Sequence, residues 1–571
     1  MIKVVTKDGV SLDLEKTCSF SIEIENPMLD DSGIPCAFST EITFLPTMTN
    51  LKTFGWLDGM MAEPMNKRVA ADIYASGIRI FIGVLIYDSI EDGKLKYTFS
   101  SVDLEEVLSD KIYNARLYRQ RVNQSLYFQT MNDASLGKVD GFAVPPIIGK
   151  DQVTDIEHGT YKTTDPNVKY RNVFSEYKDP HNDSEMAIFS PAVRVSYILA
   201  PFLESLGATC PEEWGDIAIL GMYAGSESKW GLKYEPNSPS FSGSPELDVA
   251  YKLPDISFIE LLQNLLKITC SAMFIGSGEY VIKKKADVFG ASPTNDWSGK
   301  ISDKYSICTE EANFYKLGFA DDSSSGTNSN VSIDGREVIK EVDNLLDVAP
   351  VLYSLYSAVK CKKTGDIFSG KKYGEPITSY NKTRHQVIMD SIYHNASQVK
   401  IGNEEDPEFD ATSDFKLVKC LPLTIFSSYG SGNVYAGQAN VPVVPFPKLG
   451  DDRTSDVYIG LLYKNQLVDK GIYLSGAIST IVTDWDSEYN AGKSLAPAYL
   501  YDIAHKSFAE WITSRRVCLK TEINLSVFDI ANFRMYHKVR IHGRNFIAKR
   551  LSFTFYVGND TIESEGDFLS C

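Results

Sequence analysis

The feature that most constrains this chain is an alternation of apolar and polar residues that recurs near its N-terminus. Apolar residues occupy every second position at Cys18, Phe20, Ile22 and Ile24. The same period of two returns at Phe38, Ile42 and Phe44, at alternate residues from Ile78 to Ile86, and at Leu95, Tyr97 and Phe99. This period is typical of β-strands that bury one face. Strands so close in sequence, joined by short turns, predict an antiparallel β-barrel or sandwich.

Turn and capping residues add short elements to this β-rich segment. Lys7-Asp8-Gly9 predicts a turn between strands at residues 2–5 and 11–14, which together form a hairpin. Asp103 precedes an apolar stripe and has Glu106 three residues later, a pattern that favours a short helix.

Two helices are predicted in the middle of the chain. The first has Ser190 as its N-cap, Pro191 at its first position and Gly207 just past its end. The second begins at Ser257, with Glu260 completing a capping box. Strands at residues 273–275 and 280–282 follow the second helix and predict a hairpin, so this region is expected to be a small α+β unit. Beyond Trp297 the sequence is irregular.

The C-terminal residues predict a second β-rich unit. An amphipathic helix carrying Leu500, Ile503, Phe508, Trp511 and Ile512 precedes three strands. We therefore predict a multidomain, β-dominated mixed α+β protein with antiparallel β-barrel or sandwich domains and a small helix-containing α+β insertion. The predicted units are an N-terminal β-barrel-like domain at 1–117, an irregular excursion at 118–189, a small α+β domain at 190–291, a variable mixed or β insertion at 292–499, and a helix plus β unit at 500–571.

Composition excludes some classes of function. The formal net charge of −18 and a pI near 5.0 argue against a protein that binds nucleic-acid phosphates. An acidic channel wall would instead let DNA pass without adhering, because like charges repel over about 10 Å. The nine cysteines are scattered singly, which indicates reduced, buried thiols in a protein assembled in a cytoplasm. The start of the chain does not read as a signal peptide, and no membrane insertion is expected.

Two stretches imitate a nucleotide-binding P-loop. Gly365 to Lys371 has the glycine spacing, but Lys372 follows where a hydroxyl should hold Mg²⁺. Gly492-Lys493-Ser494 has the right ending but Ser487 in place of the first glycine. Both are interpreted as surface turns.

Other catalytic and metal-binding patterns are also weak. The seven histidines lack zinc-ligand spacing and are interpreted as exposed or hydrogen-bonded; they are His158, His181, His385, His394, His505, His537 and His542. His537 and His542 flank one predicted strand, where metal binding is a minor alternative. Cys518 lies in an alternating strand, which favours a buried structural thiol. Asp484-Trp485-Asp486 is interpreted as a solvated turn, with sugar binding as the minor alternative. No catalytic, cofactor-binding or metal-binding residue and no cofactor is predicted.

Several motifs along the chain resemble phage tail hub proteins, which form the tail tip or baseplate centre. In the N-terminal part they are Asn26-Pro27-Met28-Leu29, Gly33-Ile34-Pro35, Phe38 to Ile42, Leu45-Pro46-Thr47, Asn50 and Phe54-Gly55. Gly77 to Ile80 and Gly83-Val84-Leu85 resemble a pair of strands that rims the hub barrel. Ser190 to Val195, Tyr197-Ile198-Leu199 and Leu253 to Phe258 resemble a subgroup from phages and prophages of Bacteroides-like bacteria. The C-terminal motifs are Val539 to Gly543, Phe546-Ile547 and Lys549.

The resemblance covers the first segment, the two middle helices and the C-terminal unit, but not residues 292–499. It implies a non-enzymatic virion protein, a ring-forming and usually trimeric hub that joins the tail tube to a distal spike or fibres and encircles the DNA path. The implied partners are further copies of the chain, the tail tube, tape measure and spike or fibre proteins, with DNA passing through unbound. The implied location is the virion tail tip, after assembly in the bacterial host cytoplasm. Both chain ends are then expected to build one hub core.

Two alternatives remain open. A tail-tip adaptor that binds a receptor or glycan would use aromatic loops such as residues 230–234. A tail-associated cell-wall or polysaccharide hydrolase is the third hypothesis.

Overall fold

The computed structural model describes most of the N-terminal, middle and C-terminal segments. These are residues 1–30, 32–35, 37–56, 64–100, 109–121, 130, 139–143, 191–221, 246–275, 280–310, 500–512 and 514–571. Elsewhere it describes short strands and the single residues 453, 455 and 457.

Fourteen strands form one large sheet, here called the frame sheet. Eight come from the N-terminal segment: β1 (Ile2–Thr6), β2 (Ser11–Leu12), β3 (Ser19–Glu25), β4 (Ala37–Ser39), β5 (Ile42–Phe44), β6 (Arg68–Ala75), β7 (Ile78–Glu91) and β8 (Lys94–Ser100). The others are β9 (Asn295–Asp296), β10 (Ile301–Glu310), β11 (Arg516–Ile523), β12 (Lys538–Ile541), β13 (Arg544–Tyr556) and β14 (Thr561–Ser570).

The two ends of the chain meet in this sheet. The order of its main strands is β2-β1-β6-β7-β8-β4-β3-β13-β14-β11-β10. Strand β3 from the N-terminal segment pairs antiparallel with β13 from the C-terminal segment. In this pair Ser19 lies opposite Tyr556 and Glu25 lies opposite Arg550. Strand β5 pairs with β8, β12 with β13, and β9 with β12. Among the described strands the path stays open and does not close into a barrel. The protein is β-dominated and mixed α+β, as the sequence predicts, with most frame strands antiparallel.

The hairpin predicted around Gly9 is confirmed, since β1 pairs with β2 and Gly9 has a φ of 82°. The predicted irregularity beyond Trp297 is wrong for residues 301–310, which form β10. The division of the chain into five units stays a prediction.

Strand β7 corrects two expectations. Residues 77–80 and 83–85 do not pair with each other, because both lie in or next to β7; the real partner is β6, across the Ser76-Gly77 turn. The expected buried face is also wrong: Phe81, Gly83 and Leu85 are buried, whereas the isoleucines at even positions are half-buried. Phe81 packs with its ring centroid 5.9 Å from that of Phe553, and Gly83 lies so close to the Ser100 carbonyl that a side chain would collide with it.

The predicted single strand at residues 38–44 is two strands in the structure. Strands β4 and β5 are separated by a break at Thr40-Glu41, and both pair with β8. The break changes which face points inward. Ile42 and Phe44 are fully buried as predicted, but Phe38 is 48% exposed.

The described α-helices are α1 (Met48–Phe54), α2 (Val195–Ser205), α3 (Phe258–Ile268), α4 (Lys285–Gly290), α5 (Lys506–Ile512) and α6 (Val527–Asn532). Helix α2 begins later than predicted, because Ala192–Arg194 pair as a strand with Ile217–Leu220 and Arg194 is the N-cap. The predicted end is confirmed by Gly207, whose φ is 72°. The Ser257–Glu260 capping box of α3 is confirmed. A π-helical turn, Tyr501–His505, precedes α5 and leaves Ile503 57% exposed. The helix predicted from Asp103 lies outside the described residues.

The remaining described elements are short. The 3-10 helices are Ile112–Asn114, Glu212–Asp216 and Ala250–Lys252. The other strands up to residue 300 are Arg119–Arg121, Phe142–Ala143, Ile147–Gly149, Asp155–Glu157, Thr160–Lys162, Tyr170–Arg171, Phe174–Ser175, Ala192–Arg194, Ile217–Leu220, Leu232–Lys233, Glu246–Asp248, Ser271–Ile275 and Tyr280–Lys284. Beyond residue 310 they are Tyr315–Phe319, Val331–Ser332, Ile339–Val342, Ala358–Cys361, Ile367–Ser369, Lys372–Tyr373, His385–Met389, Ser397–Ile401, Asp414–Leu417, Ile425–Ser428, Asn440–Phe446, Ile459–Tyr463, Val468–Asp469, Ile472–Tyr473 and Ala477–Ser479.

Two hydrophobic cores lie among the described residues. One lies under the frame sheet and joins residues of both chain ends, including Phe20, Ile22, Phe553 and Phe555. The other surrounds α2 and α3 and also takes in Phe508 and Trp511 of α5 together with Cys518 of β11. The middle helices therefore pack against the same C-terminal strands that complete the frame sheet.

Candidate functional site

The candidate site lies on the frame sheet, which has a tightly bonded junction at its centre and, among the described strands, a long exposed strand at one edge. The junction lies where β3 meets β13. Phe20 and Phe555 stack there with ring centroids 5.0 Å apart, and Ile22 is fully buried. An apolar sheet centre of this kind supplies most of the stabilisation of a β frame.

Asn26 bonds the two chain ends together just beyond β3. Its side chain is buried, and its Nδ2 donates to the carbonyl oxygens of Met535 at 3.0 Å and Ala548 at 2.7 Å. Its Oδ1 accepts from the Met28 N–H at 3.0 Å, and its own N–H donates to the Lys549 carbonyl at 3.0 Å. A buried amide with all these partners is favourable only when every one of them is present. Asn26 therefore fixes how the C-terminal segment docks on the N-terminal one.

Asn50 performs a similar task within the N-terminal segment. It is fully buried, donates from Nδ2 to the carbonyls of Asp13 at 2.9 Å and Leu45 at 2.7 Å, and accepts from the Asp13 N–H at 3.0 Å. Gly55 then ends α1 in the left-handed conformation with a φ of 76°, where a side chain would press on Met65. Asn26, Asn50 and Gly55, which belong to the hub-like motifs, are thus structural residues of the frame.

Charged residues bridge the central strands of the frame and link them to its edge. Arg550 on β13 donates to Glu23 on β3 at 3.2 Å and lies 3.5 Å from Asp567 on β14. At the far edge, Glu310 lies 3.3 Å from Arg516 and 2.9 Å from Lys549, so it links the end of β10 to β11 and β13.

The edge of the sheet at β10 is exposed over most of its length. Strand β10 is ten residues long and pairs with β11, and residues 303–309 are all exposed. Tyr305 is 55% and Ile307 63% exposed, although their partners Thr521 and Leu519 are buried. The apolar face of the sheet therefore extends from β11, where it is buried, onto β10, where it is exposed to solvent. Natural proteins usually cover or interrupt a long apolar edge strand, since it invites pairing with another chain.

A small cavity lies where β3, β7, β13 and α6 converge. Its volume is about 60 Å³, and its lining is mostly apolar, with Ile80, Phe274, Phe533 and Met535 among the contributing residues. Glu25 and Arg534 lie at its polar side. The volume is enough for a few water molecules and too small for a cofactor.

Two histidines of the described segments, His505 and His537, have structural surroundings. His505 is buried, with Nε2 3.0 Å from the Ile268 carbonyl oxygen, and burial, aided by the nearby Lys285 ammonium, lowers its pKa to about 4. His537 accepts from the Arg534 N–H at 3.2 Å, and burial lowers its pKa as well. His537 and His542 do flank a strand, β12, as predicted. Within the described residues, no group of three His, Cys, Asp or Glu side chains is arranged to hold a metal ion.

The remaining residues that the sequence marked as candidates are partly described by the structure. Cys518 is buried in β11, as predicted. Of the first P-loop imitation, Ile367–Ser369 is described, as a strand. Gly492-Lys493-Ser494 and Asp484-Trp485-Asp486 lie outside the described residues, as does most of the loop at 230–234. None of the described helices is long and apolar enough to cross a membrane.

Sequence reasoning missed the edge strand. The alternation of Tyr305 and Ile307 with Lys304 and Ser306 is the signal that marks it, but the run is short and lies beside a polar segment.

No protein-family model matches the sequence, and no curated protein matches it. The chain is similar to solved structures of three tail proteins at 8% identity each. These are the 43 kDa tail protein of prophage MuSo2 from Shewanella oneidensis (TM-score 0.30, 99% of this chain and 97% of that chain), the tail protein from Neisseria meningitidis MC58 (0.29, 100% and 95%) and prophage tail protein gp18 from Listeria monocytogenes EGD-e (0.28, 100% and 94%). TM-scores of this size do not establish a shared fold, so the similarity carries no argument about function.

Proposed function

We propose that the protein is a non-enzymatic structural component of a phage tail, and that it acts as a hub at the tail tip or baseplate. The observation that carries the proposal is the bonding of Asn26. The motif Asn26-Pro27-Met28 and the motif around Lys549 both resemble tail hubs, they lie at opposite ends of the chain, and they meet in one hydrogen-bonded junction. A resemblance whose separate parts join in space is stronger support than the same motifs scattered over a surface.

The exposed edge supports assembly into a ring. Among the described strands β10 pairs only with β11, and Tyr305 and Ile307 on it are exposed, so a neighbouring copy of the chain would pair along its outer side and cover them. Repetition of one such heterologous contact closes a ring when the rotation between copies permits it. A homotrimer is the proposed state, with an obligate interface of more than about 2,000 Å².

The proposed surroundings follow from this role. The ring would join the tail tube to a distal spike or fibres, next to the tape measure protein, in the virion after assembly in the bacterial cytoplasm. The net charge of −18 suits a channel through which DNA passes without binding.

Native mass spectrometry and electron microscopy of the purified full chain test the proposal. We expect a discrete oligomer that appears as a ring with a central opening. Ile307→Lys places a charge on the exposed edge strand and should convert the ring to monomer, because a buried unpaired charge opposes the contact. Phe528→Lys, at a site that is 68% exposed on α6, is the matched control and should leave the ring intact.

A strictly monomeric wild-type particle at micromolar concentration would overturn the hub proposal. A ring that survives Ile307→Lys unchanged would instead show that the hub forms through another surface, and the role of β10 would be wrong.

A further inference from the structure

Strands β10 and β11 bring two cysteines face to face. Their antiparallel register pairs Cys308 with Cys518, and cross-strand partners in a sheet project to the same side. Both side chains are free thiols in the structure. No local sequence pattern reveals this pair, because more than two hundred residues separate its members along the chain.

The backbone geometry suits a covalent link. Directly opposed residues of an antiparallel pair have Cα atoms about 4.5 to 5.5 Å apart, which lies within the range that disulfides span, about 4.4 to 6.8 Å. Their Cβ atoms are about 4.5 to 5.5 Å apart and must approach to about 4 Å. Strand β10 can make this small movement, because its outer side is exposed and its register with β11 already shifts between Ile301 and Tyr305.

The two thiols differ in access to solvent. Cys308 is exposed on the edge strand, whereas Cys518 is buried beneath it. Burial, together with the adjacent Cys308 thiol, raises the pKa of Cys518 to about 11. An oxidant from solution therefore meets Cys308 first, and the register places Cys518 opposite it to attack the mixed disulfide. Because only the thiolate attacks, the raised pKa of Cys518 slows this second step at neutral pH and makes it faster as the pH rises.

We propose that Cys308 and Cys518 form a reversible, intramolecular disulfide that fastens the exposed edge strand β10 to the frame sheet when the protein meets a low-molecular-weight disulfide such as oxidised glutathione. Strand register alone places these two cysteines opposite each other, whether or not the protein is a tail hub.

The chemistry balances in two exchanges. Cys308 loses its thiol proton, its sulfur attacks one sulfur of the oxidant to form a mixed disulfide, and the released thiolate takes up a proton to become a thiol. The Cys518 sulfur then attacks the Cys308 sulfur, the S–S bond to the small molecule breaks, and the proton of Cys518 goes to the departing thiolate. Two cysteine thiols are oxidised and one small disulfide is reduced to two thiols. Strained or exposed disulfides are the readily reduced ones, so a mild dithiol reverses the link.

The test is thiol mapping of the purified full chain. The protein is incubated with oxidised glutathione, remaining thiols are alkylated after unfolding, and peptides are identified by mass spectrometry. We expect a Cys308–Cys518 linked peptide, the loss of two alkylatable thiols per chain, and recovery of both after treatment with dithiothreitol. Hydrogen exchange of the β10 amides should slow on oxidation and recover on reduction.

Cys308→Ser should abolish the linked peptide, and since the residue is exposed, this variant is expected to fold normally. Cys210→Ser, at a partly buried cysteine in the middle unit, is the matched control and should leave the linked peptide unchanged. Recovery of Cys308 only as a glutathione adduct or as an interchain disulfide, with Cys518 alkylated, would overturn the proposal.

Discussion

The junction of β3 with β13 and the edge strand β10 belong to one sheet, but apolar side chains are buried at the junction and exposed at the edge. At the junction, Ile22 is fully buried and the adjacent Asn26 has all its polar groups bonded. At the edge, Ile307 is 63% exposed. Among the described residues, the first region is covered by its own chain, whereas the second exposes apolar side chains. Folding stability should therefore depend on the junction, while assembly should depend on the edge.

The largest expected effect comes from a matched pair of substitutions, one at the junction and one at the edge. Ile22→Ala should lower the free energy of unfolding by about 4 kcal/mol, because it leaves a cavity in a packed core. Ile307→Ala should change it by less than about 0.5 kcal/mol, because the side chain is exposed. Denaturant titration of both variants, under conditions where the chain is monomeric, measures the difference. Equal losses would show that the edge strand is buried in the folded monomer.

Removal of the Asn26 side chain should have the next largest effect. Asn26→Ala leaves two buried carbonyls and one buried N–H without their partner, which should cost about 3 kcal/mol. Asn66→Ala is the control, since that amide donates to an exposed carbonyl of Thr53; its loss should cost less than about 1 kcal/mol. Thermal unfolding of the two variants, monitored by circular dichroism, distinguishes a junction residue from a surface one.

His505 should make the packing of α5 sensitive to acid. Burial lowers its pKa from 6.5 to about 4, so the folded protein resists a proton that the unfolded chain accepts. Stability is therefore complete above pH 6.5 and falls as the pH drops from 6.5 towards 4, by up to about 3 kcal/mol. His505→Gln removes the titration but keeps a donor for the Ile268 carbonyl. The wild-type curve of unfolding free energy against pH should be steeper than the variant's over this interval, and parallel curves would contradict the assignment.

The smallest effect is expected from the ion pairs of Arg550. Arg550→Met loses contacts with Glu23 and Asp567, and because the arginine is 41% exposed the cost should be about 0.5 kcal/mol. High salt should reduce the difference from wild type, since it screens exposed charges. Arg544→Met, at an exposed arginine of the same strand, is the control. A loss of several kcal/mol would mean that these ion pairs belong to the junction rather than to its surface.

Local sequence signals identified many individual elements. The period of two at Phe20 and Ile22 correctly predicted a half-buried strand, and the Ser257–Glu260 pair correctly predicted the start of a helix. Signals failed where both faces of a strand are apolar, as in β7, since alternation then does not say which face is inward. They also failed at Phe38, where a break between two strands reversed the inward face.

By itself, the sequence determined the β-dominated class of the protein, its turns and caps, and the hub-like motifs at both ends. These depend on dihedral preferences and side-chain periods that act over a few residues. Only the tertiary structure decided that β3 pairs with β13, that β10 is the exposed edge, and that Cys308 lies opposite Cys518. Strand partners are chosen by hydrogen bonds and packing between segments hundreds of residues apart, and a local pattern carries no record of that choice.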